Sequence, residues 1–173
     1  MTQFEFILTL FSILIALMVG RVINTLSSLT FASADRKHIG WLVGLLLNLM
    51  VAYWMFWESR NDVMTFAEYL AFLTTSGFII YAVSVITPAS TPADWSAYFW
   101  RVRARFFLAY LAFWASDAVF DYVLNAEIQP SVAPIALLLM GAAFRDNRVQ
   151  WAALVLFLAV QIIFIALLLN ISA

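Results

Sequence analysis

The chain has 173 residues, of which 65% are hydrophobic and only 11% charged, so a water-soluble fold would lack the polar surface to cover itself. An integral membrane protein is expected. The formal charge of -1, with no block of basic residues, excludes a nucleic-acid-binding arm, and the absence of cysteine removes disulfides, thiolate catalysis, iron–sulfur clusters and thiolate zinc sites.

Spans of roughly 20 apolar residues between charged or Pro/Gly/Asn-rich breaks predict the elements in turn. The first runs from about Phe4 to Phe31. It begins with Gln3 and Glu5 instead of a basic segment, so it reads as a retained span, not a cleaved signal. Ala16 and Gly20 lie one turn apart on it as a small-residue packing face, and Arg21 falls in its inner half with Asn24, Thr25 and Ser28.

The second span, Ile39 to Trp57, repeats Gly40, Gly44, Asn48 and Ala52 every four residues, which predicts close helix packing, within one bundle in preference to a dimer face. Tyr53, Trp54, Phe56 and Trp57 form an aromatic belt at its outer end. His38, the only histidine, precedes the span beside Arg36 and Lys37 and reads as an interfacial residue; alone, it excludes bis-histidine haem and His-rich metal sites. The third span runs from Phe66 to Thr87, with Thr74, Gly77, Tyr81 and Ser84 as a weakly polar stripe.

Thr91-Pro92-Ala93-Asp94 has the form of a helix start, and Trp95, Tyr98, Phe99, Val102 and Phe106 recur at helical spacing opposite Arg101 and Arg105. This predicts a short interfacial helix before the fourth span, with Arg101, Arg103 and Arg105 as topology signals and candidate contacts for lipid headgroups.

Phe106 to Leu124 is the fourth span, and Tyr110, Trp114, Asp117, Asp121 and Asn125 share one face of it. At 1.5 Å per residue Asp117 lies about 16 Å deep and Asp121 about 22 Å. Acidic side chains at membrane depth are costly and point to an ion or proton pathway, here Asp117, Asp121, Arg21, Tyr110 and Asn125. The expected pairing is Arg21 with Asp117, leaving Asp121 as the titrating carboxyl. The fifth segment, about Ser131 to Phe144 with Pro130 and Pro134 at its start, rises only ~21 Å and is a short span or a re-entrant half-helix. The sixth, Trp151 to Ile171, carries Gln161 near its middle.

Arg36 and Lys37, Arg101, Arg103 and Arg105, and Arg145 and Arg148 occupy alternate loops, whereas the other loops and both termini hold only Arg60. The positive-inside rule places both termini outside the cytoplasm. The expected fold is therefore all-α, a single transmembrane domain over residues 1–173 with six transmembrane helices.

Phe4-Glu5-Phe6 with its run to Gly20, Tyr53-Trp54-Met55-Phe56-Trp57, and Tyr98-Phe99-Trp100-Arg101 leading through Arg105-Phe106-Phe107 to Asp117 resemble a group of small multi-pass bacterial inner-membrane proteins with no known activity. That resemblance implies a bacterial inner membrane and supplies no ligand.

Two readings of the intramembrane charges stand nearly level. One is an ion or proton channel or transporter, working as a homo-oligomer. The other is a non-catalytic structural or assembly subunit held to other membrane subunits by its polar pair and small-residue stripes. A binder of lipid, quinone or pigment ranks below both. No protease pattern, phosphate loop or metal-ligand cluster is present in the sequence, so no enzyme activity, metal or cofactor is expected. The lipid bilayer is the expected partner, and nucleic acid is not.

Overall fold

The computed structural model describes residues 3–29, 35–58, 65–125 and 132–171, all helical or in short connections. Six helices appear among them: α1 (Gln3–Ser28), α2 (Arg36–Glu58), α3 (Phe66–Ile86), α4 (Trp95–Asn125), α5 (Val132–Ala143) and α6 (Asn147–Ile171). Among the described residues, α1, α3 and α6 contain stretches long and apolar enough to cross a membrane, by length and composition. The Phe31 end of the first span, Arg60, and the Pro130–Ser131 start of the fifth lie outside the described residues, as do the side chains of Phe56, Trp57, Asp121 and Asn125.

The helix starts are set by short polar side chains. Asp35, Asp94 and Asp146 each turn a carboxylate oxygen onto the first free N–H groups of α2, α4 and α6, for example Asp94 Oδ1 at 2.8 Å from Ser96 N. A carboxylate there satisfies orphan donors and meets the positive end of the helix dipole. Thr65 and Glu68 cap α3 reciprocally.

Two expectations are corrected around α4. The helix begins after Asp94, not after Thr91, because the Asp94 side chain takes the cap position. The expected separate interfacial helix is the first part of one 31-residue helix, about 46 Å long, that continues through the fourth apolar segment. Nothing between Trp95 and Asn125 breaks the backbone ladder, since the stretch contains neither proline nor glycine. By contrast α5 has only 12 residues, about 18 Å, as short as its apolar segment implied.

The helices pack in the cyclic order α1, α3, α4, α5, α6, α2 and back to α1, with α2 also reaching α4. Trp41, Phe99, Phe106, Phe107, Tyr110 and Phe157 fill the interior. Some of their rings meet edge to face, as Trp41 and Phe107 do at 4.7 Å, an arrangement that aromatic quadrupoles favour, and others are tilted. The exterior is apolar too: Leu17, Val155, Ile162 and Ile163 each leave more than half their surface uncovered. Apolar faces of this extent are what a helix presents to lipid.

The glycine stripe on α2 is used inside the chain. A Cβ at Gly40 would stand 2.3 Å from Leu154 Cδ2, and one at Gly44 would stand 3.3 Å from the Phe157 ring, so α6 approaches α2 along that stripe. Asn48, next in the series, accepts a 3.3 Å hydrogen bond from Gln161 Nε2, with both residues buried. Ala16 and Gly20 are exposed instead, and nothing stands within 4 Å of a Cβ at Gly20.

Candidate functional site

Polar side chains converge most densely at the end of the bundle where α2, α4 and α6 begin. Lys37 Nζ donates to Asn147 Oδ1 at 2.7 Å, lies 3.4 Å from Asp35 Oδ2 and stands 5.2 Å over the Trp100 ring. Its charge is therefore met by a carboxylate, an amide and an aromatic face in one nearly closed site.

Arg103 also stands over Trp100, 5.5 Å from that ring's centre. It donates to the carbonyls of Gly141 and Phe144 at the end of α5, and Gln150 Nε2 donates to the same two at 2.8 and 2.7 Å. Cation and amide together satisfy the carbonyls that a helix end leaves open. Burial, and then the neighbouring Arg145, push the Arg103 guanidinium below its usual range.

The expected grouping of Arg103 with Arg101 and Arg105 at the lipid headgroups is therefore corrected. Arg103 is only 5% exposed and turns inward. Two residues along a helix is about 200° of rotation, which sends Arg103 to the aromatic face while Arg101 and Arg105 stay outside.

His38, expected at the membrane edge, is enclosed within the bundle. It is 0% exposed, enclosed by the rings of Trp95, Tyr98 and Phe99 at 5.2, 5.8 and 6.0 Å. Neither imidazole nitrogen has a hydrogen-bond partner among the described residues. Burial lowers its pKa from 6.5 to about 4, with Asp35 acting weakly the other way. The ring is neutral at neutral pH. The signal available in the sequence was the spacing of Trp95, Tyr98 and Phe99, which the interfacial-helix reading assigned to lipid and the bundle uses to bury His38.

Of the expected pathway residues, Arg21 and Asp117 are not brought together. Arg21 Nη2 donates to the Thr87 carbonyl at 3.3 Å, beside Tyr98, whose hydroxyl donates to the Val85 carbonyl at 2.7 Å. Both bonds cap the C-terminal end of α3. Asp117 is 19 residues beyond Tyr98 on the same helix, about 28 Å along its axis. The expected Arg21–Asp117 pair is thereby corrected: a long side chain in the inner half of α1 turns to the nearer helix end.

Asp117 is half-buried, and its neighbour Ser116 lies 3.2 Å from Thr75 of α3. Ser116 also donates to the Phe113 carbonyl at 2.9 Å, which leaves Thr75 to supply the shared proton.

Between that level and the Lys37–Arg103 end sits Tyr110, fully buried among the rings of Phe106, Phe113 and Phe157 at 5.7, 6.1 and 5.6 Å. Its hydroxyl has no hydrogen-bond partner among the described residues. Trp114 is near but out of bonding geometry. A shallow groove of about 170 Å³ on Ala133, Val160, Ile163, Phe164 and Leu167 has an apolar lining and offers no chemistry. Among the described residues no group of three His, Cys, Asp or Glu side chains could hold a metal ion.

No family model, curated protein or solved structure matches the chain.

Proposed function

We propose that this chain is a multi-pass integral membrane protein acting as a non-catalytic structural or assembly subunit of a membrane complex. The observation that carries this reading is the aromatic block around Tyr110. A proton or ion route needs a continuous series of polar groups or water, and the Tyr110 hydroxyl stands among three phenylalanine rings with no hydrogen-bond partner among the described residues.

Polar side chains elsewhere are engaged in joining helices, as Asn48 is with Gln161, Thr75 with Ser116 and Lys37 with Asn147. Such bonds are typical of membrane bundles whose polar residues hold helices together. The placement of Lys37 and Arg103 at one end, with Arg36, Arg101, Arg105, Arg145 and Arg148 on neighbouring turns and loops, supports a cytoplasmic assignment for that end. Six crossings of a bacterial inner membrane, with both termini on the non-cytoplasmic side, belong to the same proposal.

A second reading is a conduit formed between copies of the chain, with Asp117 in its wall. Its support is the half-buried position of that carboxylate on an otherwise apolar stretch of α4.

Reconstitution separates the two. A scaffold carries no proton or cation flux above that of empty liposomes, and its purification in mild detergent brings down a stoichiometric membrane partner. Flux that Asp117→Asn abolishes, in a variant that stays folded, would overturn the scaffold reading.

A further inference from the structure

The corrected position of Arg21 creates a second basic feature, apart from the buried Lys37 and Arg103. Arg101 lies 5.6 Å over the Tyr98 ring, and Arg21 reaches the Thr87 carbonyl close to the same tyrosine. Burial pushes the Tyr98 hydroxyl up, and the positive charges of Arg101 and Arg21 both pull it back, so both guanidinium groups act on this one side chain. Both arginines are exposed, and neither has an acidic partner among the described residues. The acids at this end, Asp35, Asp94 and Asp146, are turned to the N–H groups of their own helices.

We propose that Arg21 and Arg101, both close to Tyr98, form a binding site for the phosphate of an anionic phospholipid headgroup. An arginine has five N–H donors, and Arg21 spends one on Thr87, so several remain for phosphate oxygens. Depth fits a lipid: Arg21 reaches the end of α3, and Arg101 lies five residues before Phe106, where the apolar part of α4 starts. Leu17 and Ile13, one and two turns before Arg21 on α1, are 63% and 53% exposed and continue from the charge toward the bilayer interior, where acyl chains would lie. Charge and apolar surface in this order match one phospholipid molecule, which a soluble anion would not require. The site stands whether the chain is a scaffold or a conduit.

The test uses the full chain in nanodiscs of phosphatidylcholine doped with phosphatidylglycerol, with native mass spectrometry counting the lipids retained. Wild type is expected to enrich the anionic lipid. Arg101→Gln should lower that enrichment about fivefold, the factor one interfacial arginine contributes, and the Arg21→Gln, Arg101→Gln double variant about 25-fold. Glutamine keeps a donor for the Thr87 carbonyl, and Arg101→Gln touches no backbone bond, so folding is preserved in at least one arm. Arg105→Gln removes an exposed charge one turn away that is not set against Tyr98, and should lower enrichment clearly less than Arg101→Gln does. Equal losses at Arg105 and Arg101 would show diffuse charge and overturn the site, as would unchanged enrichment in the double variant. Displacement of the lipid by inorganic phosphate would identify a free anion as the ligand and overturn the lipid assignment.

Discussion

Gly141 lies against the ring of Phe107, so closely that a Cβ at Gly141 would stand 2.7 Å from Phe107 Cε1 and 2.8 Å from Cζ. This contact brings α5 onto α4 and presents the Gly141 carbonyl to Arg103 and Gln150. Gly141→Ala is therefore expected to destabilise the protein by about 1–3 kcal/mol, the usual cost of overpacking a core. Gly20→Ala and Gly77→Ala, inside α1 and α3 where nothing stands within 4 Å, should leave the thermal midpoint in detergent no lower than wild type, since alanine is the better helix former. A midpoint for Gly141→Ala equal to wild type would contradict the close approach.

Arg103 and Gln150 share two carbonyls at the end of α5. Arg103→Met keeps an unbranched apolar stem and removes the guanidinium with its charge-assisted bonds, at an expected cost of about 1.5–3 kcal/mol. The same change at Arg101 or Arg105, both exposed, should shift stability by less than about 0.5 kcal/mol. Thermal unfolding of the three variants in one detergent gives the comparison.

His38 makes stability depend on pH in a definite direction. The folded chain holds the imidazole neutral down to about pH 4, whereas the unfolded chain protonates it near 6.5. Its contribution is fully present above 6.5 and is lost as pH falls from there toward 4, for a total of about 3 kcal/mol. Unfolding measured from pH 7 to pH 4 should show this loss in wild type, and His38→Phe should lose about that much less. Parallel pH profiles for the two proteins would rule out the burial of a neutral ring.

Asn48 and Gln161 join α2 to α6 in the apolar interior. A double-mutant cycle with Asn48→Ala and Gln161→Ala should give a coupling of about 0.6 kcal/mol, the average found for such bonds in membrane bundles. Additive losses would mean that each residue serves another partner.

Several features were legible from residues alone. Except at the start of α4, the apolar runs placed the helices close to where they are found, because long apolar stretches have few other ways to satisfy their backbone. The spacing of Gly40, Gly44 and Asn48 anticipated a close helix contact, and α6 supplies it. The start of α4 was misjudged, with Thr91 expected as the cap, whereas Asp94, directly before the helical run, holds that position.

The candidate site was less legible. Helical period shows which residues share a face, but not which helix lies opposite or how far two helices are offset along their axes. His38 and Trp95 are 57 positions apart and share one enclosure, while Arg21 and Asp117, matched by estimated depth, belong to different levels. The sequence by itself determined a membrane-compatible all-helical chain and the position of its charges along each helix, because hydrophobicity and backbone hydrogen bonding are local constraints. Only the tertiary structure decided that Arg21 caps α3, that Arg103 closes α5, and that Tyr110 is walled in by phenylalanine rings. Those outcomes follow from helix order and axial offset, which are set by side-chain packing across the whole bundle.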